Sequence, residues 1–396
     1  MLPLQGAGGT PKNNYFTTMK RILTLATIAI LALAATAQSM LPPQDLLDML
    51  KARHAPDKRT AIWDVKATTS KKGVTTLTGK VGTQQMKDAI DTAFKGYKVK
   101  NNLSVVENSL PEGKRWALVK LSIATLRTEG KHSAEIATQA LMGMPVKVLE
   151  KDDDWYRVQT PDDYISYVPE SSLCYKTAQQ MDAWRKARRM VVTVYDSRLV
   201  TEPGGDETVT DLVLSNILEY RGEQGEWVRL ATPDGREGYI QKNQVADLTQ
   251  WSKQNFDAAL IEKTARRMLG SSYLWGGTST KVTDCSGLAK VSYLANGIIL
   301  QRDASQQALT GKKLYDYHEA QLGDLLFFGN SKTKRVTHVG IYLRDGKYIH
   351  CSGQVKINSL DPNAPDYLYS TLSISRINGM IGTQGITYLR NHPWYF

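Results

Sequence analysis

The chain has 396 residues, 41% of them hydrophobic and 22% charged, with a formal net charge of +11. Those proportions belong to a soluble globular protein long enough for two to four cored domains. No long Lys/Arg block and no nucleic-acid motif accompanies the basic excess, which excludes nucleic acid as the expected partner.

The first predicted element stands outside the fold. Met19-Lys20-Arg21 opens an apolar run over residues 22–35 that closes on Ala35-Thr36-Ala37. A basic start, a short apolar centre and an A-x-A end predict a secretory signal peptide over residues 1–37, cleaved near Ala37, with Met19 as a candidate start. The run is too short for a membrane span, and no cysteine follows Ala37 to take a lipid. No other apolar run reaches membrane length, so the mature protein is expected to be exported, periplasmic or secreted, without a transmembrane span. Removing Lys12, Lys20 and Arg21 leaves 47 basic residues against 39 acidic, a net +8 that suits an anionic surface or polymer. Cys174, Cys285 and Cys351 are an odd set for an exported protein, so at least one thiol is free; a pairing of Cys174 with Cys351 stays open.

Residues 38–111 read as a small α/β domain. Leu46, Met49 and Leu50 mark a helix after Pro42-Pro43, residues 60–67 and 73–81 read as strands, 86–94 as a helix and 97–106 as a strand. The order αββαβ, with Gly73-Val-Thr-Thr-Leu-Thr-Gly-Lys-Val81 and Val99-Lys-Asn-Asn-Leu-Ser-Val105, resembles the BON domain. That resemblance implies contact with phospholipid or another envelope surface.

An internal repeat follows. Trp155 and Trp227, Thr160-Pro-Asp162 and Thr232-Pro-Asp234, and Tyr167 and Tyr239 share one offset. Short strands with a turn at each Pro-Asp predict two small β-barrels, over 112–180 and 181–250. They resemble the bacterial SH3-type modules that accompany cell-wall enzymes. The copies diverge where Tyr164 in the first meets Arg236 in the second, which suggests different tasks.

The last domain spans 251–396. Phe256, Leu260, Ile261 and Met268 line a helix stopped by Gly270, and a second helix runs from about Cys285 to Ala295 with Gly297 as its stop. Strands are expected over 324–328, 336–343 and 347–352, with more after Thr371, an α+β pattern. Cys285 falls in the first turn of its helix, where unpaired N–H groups and the helix dipole favour a thiolate. Alternation puts Val336, His338, Gly340 and Tyr342 on one face of their strand, and a hairpin brings His350 beside His338. A thiol, a base and a group that orients the base make a triad, with the sulfur expected to be held ionised by imidazole. No metal or cofactor is expected, because the histidines lack a cluster of ligand spacing and Cys351 points off the face that His350 uses.

Tyr273-Leu-Trp-Gly-Gly277, Asp284-Cys-Ser-Gly287, Gly323-Asp-Leu-Leu-Phe-Phe328, Thr337-His-Val-Gly-Ile341 and Tyr348-Ile-His350 resemble the NlpC-type cysteine peptidases of bacterial cell walls. The resemblance implies a papain-like α+β fold, with Cys285 as nucleophile, His338 as base and His350 as the third member. Peptidoglycan stem peptides would be the substrate, cut between γ-D-glutamate and meso-diaminopimelate or lysine. The Cys285 N–H and the Tyr273 hydroxyl are candidate oxyanion donors. Asp284 raises the thiol's pKa unless a cation arrives with the substrate. A subset of the family with two SH3-type modules trims peptides with a free N-terminal L-alanine. By that resemblance Glu135, Tyr164, Asp284 and Ser286 form an amine-binding pocket and the product is L-Ala-γ-D-Glu. Trp275 is expected to pack, and Gln306 and Gln307 lie near the cleft without a catalytic role. A general wall endopeptidase, a muramoyl-L-alanine amidase and a non-catalytic wall-binding protein remain open alternatives.

Overall fold

A computed structural model describes residues 41–396. The predicted signal peptide lies outside the described residues. Among them no helix is long and apolar enough to cross a membrane. The chain divides into two compact units, Met1–Val106 and Glu107–Phe396.

The first unit has the expected order: helix Pro43–His54, strands Trp63–Thr69 and Thr75–Val81, helix Gln84–Ala93 and strand Val99–Val105. The first two strands pair antiparallel and the second and third pair parallel. Both helices supply its core, Leu46, Leu47, Leu50 and Ile90 packing with Val65, Leu77, Val81 and Leu103. Met49, expected on the inward stripe, is 43% exposed and Leu47 takes its place. The helix begins at Pro43, which fixes φ where no N–H is needed and sets the phase of the stripe.

The second unit carries two seven-stranded antiparallel sheets between Trp116 and Lys176 and between Arg189 and Asp247, then a mixed helix and sheet region. Each sheet closes on its own apolar set, Leu126, Val148 and Val158 in the first and Leu199, Leu218 and Leu230 in the second. A further cluster draws Leu118, Trp184, Val191, Ile217, Leu248, Ile299 and Tyr395 together. Those residues come from both sheets, the helix Ala178–Lys186 between them and the C-terminal region, so the parts share one core.

In the last region the helix Ala258–Arg267 packs beside the helix Cys285–Leu294, and the Cys285 helix faces a six-stranded sheet. The strands Leu325–Gly329, Val336–Tyr342, Lys347–Ser352 and Gln354–Ser359 lie consecutively in that sheet, all antiparallel. The tight entry to the Cys285 helix requires a glycine at 287, because a Cβ there would collide with the Gly277 carbonyl.

Candidate active site

Cys285 is the first residue of its helix. Asp284 caps that helix, its Oδ1 accepting from the Gly287 N–H at 2.7 Å. The thiol is buried, and the Val339 and Ser286 N–H groups point at the sulfur. Val339 follows His338 directly, so the histidine strand runs past the nucleophile.

A polar relay continues from there. His338 Nε2 lies 2.7 Å from His350 Nδ1, and His350 Nε2 lies 2.8 Å from Asn358 Oδ1. The Asn358 amide nitrogen donates to the Asp366 carbonyl, so its oxygen faces the ring as an acceptor. His350 must then carry its proton on Nε2 and accept at Nδ1, and His338 must carry its proton on Nε2. The Nδ1 lone pair of His338 is left to accept a proton, as a base requires. Asn358 was not foreseen from the sequence. It lies on the strand paired with the His350 strand, two residues from Lys356, which is directly opposite His350. Strand alternation after the Gly353 turn is the signal that finds it.

Electrostatics correct one expectation. Burial, then Asp284, pushes the Cys285 thiol up to about 11, against the pull of the two N–H groups and Arg302. Burial, then His350, pushes His338 down to about 3. Burial also takes His350 down to about 4, with the Asn358 bond acting against it. Burial thus works against both charged forms, thiolate and imidazolium, where the helix start alone favours an ionised sulfur. A thiolate forms only when the proton passes to the base.

Asp284 is also employed differently from the expectation that it awaits a cation from the substrate. Arg302, 1% exposed, donates from Nη2 to Asp284 Oδ2 at 2.6 Å and from Nη1 to Oδ1 at 3.3 Å. The Gly276 N–H and the Ser286 hydroxyl also bond this carboxylate, at 3.0 and 3.2 Å. Arg302 Nη1 reaches Ser286 Oγ at 2.9 Å. Asp284 and Ser286 are thus buried parts of one network, and the compensating charge belongs to the chain itself. Arg302 was missed because a single arginine after the apolar stretch Ile298–Leu300 carries no periodic signal.

The first seven-stranded sheet reaches this network. Tyr164 Oη donates to Asp303 Oδ2 at 3.1 Å, next to Arg302. Ile136 lies against Gly276, where a Cβ would have no room, and exposed Glu135 immediately precedes it. Gln139 and Thr278 bond reciprocally, the Thr278 N–H to Gln139 Oε1 at 2.9 Å and the Gln139 N–H to Thr278 Oγ1 at 3.0 Å. Tyr273 is half-buried, and burial with the neighbouring Cys285 and Asp284 keeps its hydroxyl protonated well above the ordinary range. Trp275, expected to pack, is 58% exposed. Gln307 Nε2 donates to the Ser286 carbonyl at 3.3 Å, a supporting contact.

All three cysteines are free. Cys351 Sγ donates to the Thr283 carbonyl at 3.4 Å, and Cys174 Sγ to the Pro233 carbonyl at 3.1 Å. Among the described residues no group of three or more His, Cys, Asp or Glu side chains could hold a metal ion.

Comparison with known proteins agrees with this geometry. Residues 270–374 match the model of the NlpC/P60 family, and residues 126–173 match the bacterial dipeptidyl-peptidase Sh3 domain. The chain is 29% identical to dipeptidyl-peptidase 6 of Lysinibacillus sphaericus, over 63% of this chain and 94% of that protein. It is 30% identical to the gamma-D-glutamyl-L-lysine dipeptidyl-peptidase of Bacillus cereus, over 59% of this chain and 73% of that protein. A crystal structure of an NlpC/P60 family protein from Bacillus cereus superposes with a TM-score of 0.57 at 25% identity, covering 66% of this chain and 99% of that one. The chain belongs to the NlpC/P60 family and is a cell-wall cysteine peptidase, a papain-like domain preceded by SH3-like domains.

Proposed function

We propose that the protein hydrolyses the γ-D-glutamyl–L-diamino acid bond of peptidoglycan peptides that carry a free N-terminal L-alanine, releasing L-Ala-γ-D-Glu. The diamino acid is meso-diaminopimelate or lysine. One observation carries the reading: a His338–His350–Asn358 relay, part-buried at His338 and buried beyond it, beside a helix-start cysteine, with the first SH3-like domain packed on the wall of the same site. The names of the relatives support the bond and the dipeptide product.

Cys285 is the nucleophile. As its sulfur attacks the γ-carbonyl carbon, the thiol proton passes to His338 Nδ1, and the same proton then goes to the departing amine. Water, deprotonated by His338, attacks the thioester carbon; the C–S bond breaks, the dipeptide leaves and the proton returns from His338 to the Cys285 sulfur. His350 and Asn358 hold the base in the tautomer that can do this, and they stabilise the imidazolium through the chain of bonds. The Cys285 N–H and the Tyr273 hydroxyl stabilise the oxyanion; a hydroxyl kept protonated is a ready donor. Exposed Glu135 supplies a carboxylate for the substrate ammonium, Tyr164 closes the pocket, and Asp284 with Ser286 forms its wall through Arg302. The domain that brings Glu135 and Tyr164 also leaves little room for a glycan-linked stem.

Export by the predicted signal peptide fits a wall substrate. The first unit is the more basic part: residues 41–106 hold 12 Lys and Arg against 6 Asp and Glu. We read it as a BON-like contact with the anionic envelope surface.

The test is a rate comparison between L-Ala-γ-D-Glu-diamino acid and its N-acetylated form. A strong preference for the free amine is expected. Equal rates would leave a general wall endopeptidase.

A further inference from the structure

The two SH3-like domains contain the same turn, and the two turns use their aspartate differently. In the second, Asp234 is satisfied locally: Thr232 Oγ1 donates to it at 2.6 Å and Arg236 Nε at 3.0 Å. In the first, Thr160 Oγ1 makes the matching bond to Asp162 Oδ1 at 2.5 Å, but Asp162 Oδ2 reaches out of the domain to Lys290 Nζ at 2.6 Å. Lys290 lies on the helix that Cys285 begins. Its ammonium also donates to the Leu300 carbonyl at 2.7 Å, and both side chains of the pair are nearly buried, at 17% and 7% exposed. The Pro161 carbonyl is held from the other side by His392 Nε2 at 3.0 Å.

This turn ends in Tyr164. Asp163 takes φ 64°, the left-handed conformation, and the chain then delivers Tyr164 to Asp303. One short path from Tyr164 to the nucleophile therefore runs through the turn, Asp162, Lys290 and the helix that Cys285 begins, beside the Tyr164–Asp303 bond and the His392 contact to Pro161. Ile136 against Gly276 and the Gln139–Thr278 bonds fasten the domain to the peptidase region independently, through another strand. Those contacts hold the domain on the peptidase region apart from the ion pair.

We propose that Asp162 and Lys290 are positioning residues that set the selectivity of the enzyme for a free N-terminal amine, by fixing the Tyr164 turn to the nucleophile helix. A buried ion pair contributes little net stability compared with apolar groups, and fixing register is its best-attested use. That suits a contact whose task is register. The proposal rests on the amine-selective reading given above.

The experiment measures kcat/KM for L-Ala-γ-D-Glu-meso-diaminopimelate and its N-acetylated form, with the alkylation rate of Cys285 by iodoacetamide and the melting temperature. Variants are Lys290→Met, Lys290→Arg, and the double Lys290→Met/Asp162→Leu, which removes both charges and keeps the packing. In the single Met variant and in the double variant, KM for the free amine rises on the order of tenfold or more, as misplacement of a binding group does. The ratio between the two substrates narrows, the alkylation rate holds, and Lys290→Arg recovers part of the ratio. If Lys290→Met does not fold, the double variant gives the answer. A double variant that melts like wild type and discriminates like wild type overturns the proposal alone. A wild-type enzyme that does not discriminate overturns this proposal and the amine-selective reading together.

Discussion

Replacing Arg302 by methionine removes the only guanidinium bonded to the Asp284 carboxylate among the described residues and keeps most of the side-chain volume. The carboxylate stays buried, with the Gly276 and Gly287 N–H groups and the Ser286 hydroxyl as its remaining partners. Two unit charges about 4 Å apart attract by about 4 kcal/mol at an effective dielectric near 20. Breaking one side of a buried pair costs about 3–5 kcal/mol, the same range. For a unit of this size that lowers the melting temperature by on the order of 10 °C. The thiol is affected too, because Arg302 pulls the Cys285 pKa down while Asp284 pushes it up. Arg302→Met therefore slows alkylation of Cys285 as well as lowering stability. The paired variant Arg302→Met/Asp284→Asn removes the orphaned charge and regains much of the stability, a non-additivity that a double-mutant cycle reads directly. Thermal melts and iodoacetamide kinetics on the four proteins suffice. An Arg302→Met variant that melts within a degree or two of wild type and alkylates at the same rate refutes the network as described.

Asn358→Leu removes the acceptor that fixes the tautomer of His350, and through it that of His338; kcat is expected to fall on the order of a hundredfold with KM nearly unchanged, measured by steady-state kinetics. Both imidazoles are neutral in the folded protein, with pKa values lowered to about 3 and about 4. The unfolded chain takes up those protons first as pH falls below its ordinary 6.5. Their contribution is complete above that pH and is lost toward pH 4 to 3, and between pH 7 and pH 5 the pair gives up at most about 4 kcal/mol. Urea midpoints at the two pH values check it, and equal midpoints would contradict it. Gly276→Ala forces a Cβ into Ile136 from a left-handed backbone. It should weaken the free-amine preference and lower stability together, read from the substrate ratio and the melt.

How much of this was legible beforehand depended on the kind of signal. Cys285, His338 and His350 stood out because short motifs and strand alternation report local geometry, and the structure brings the two histidines within hydrogen-bond distance. The fixed offset between Trp155 and Trp227 marked the repeat for the same reason. Arg302 and Asn358 were not legible. Each owes its place to a long-range approach, Arg302 to a loop folding under the Cys285 helix and Asn358 to the register of an edge strand with the His350 strand. Burial decides the protonation of the thiol and the base, and burial is a property of packing that no local stretch displays. The helix-dipole argument alone therefore favoured an ionised sulfur, and desolvation outweighs it. Met49 shows the same limit on a smaller scale, a helix phase set by the start at Pro43 and by which face meets the sheet.

The most direct measurement is mass spectrometry of the products from a defined stem tripeptide, L-Ala-γ-D-Glu-meso-diaminopimelate, and from its muramoyl-linked parent, with Cys285→Ala beside the wild type. The account predicts a dipeptide and free diamino acid from the tripeptide, little product from the parent, and none from the variant. Intact stem peptides released from the parent, or turnover by Cys285→Ala, would contradict it.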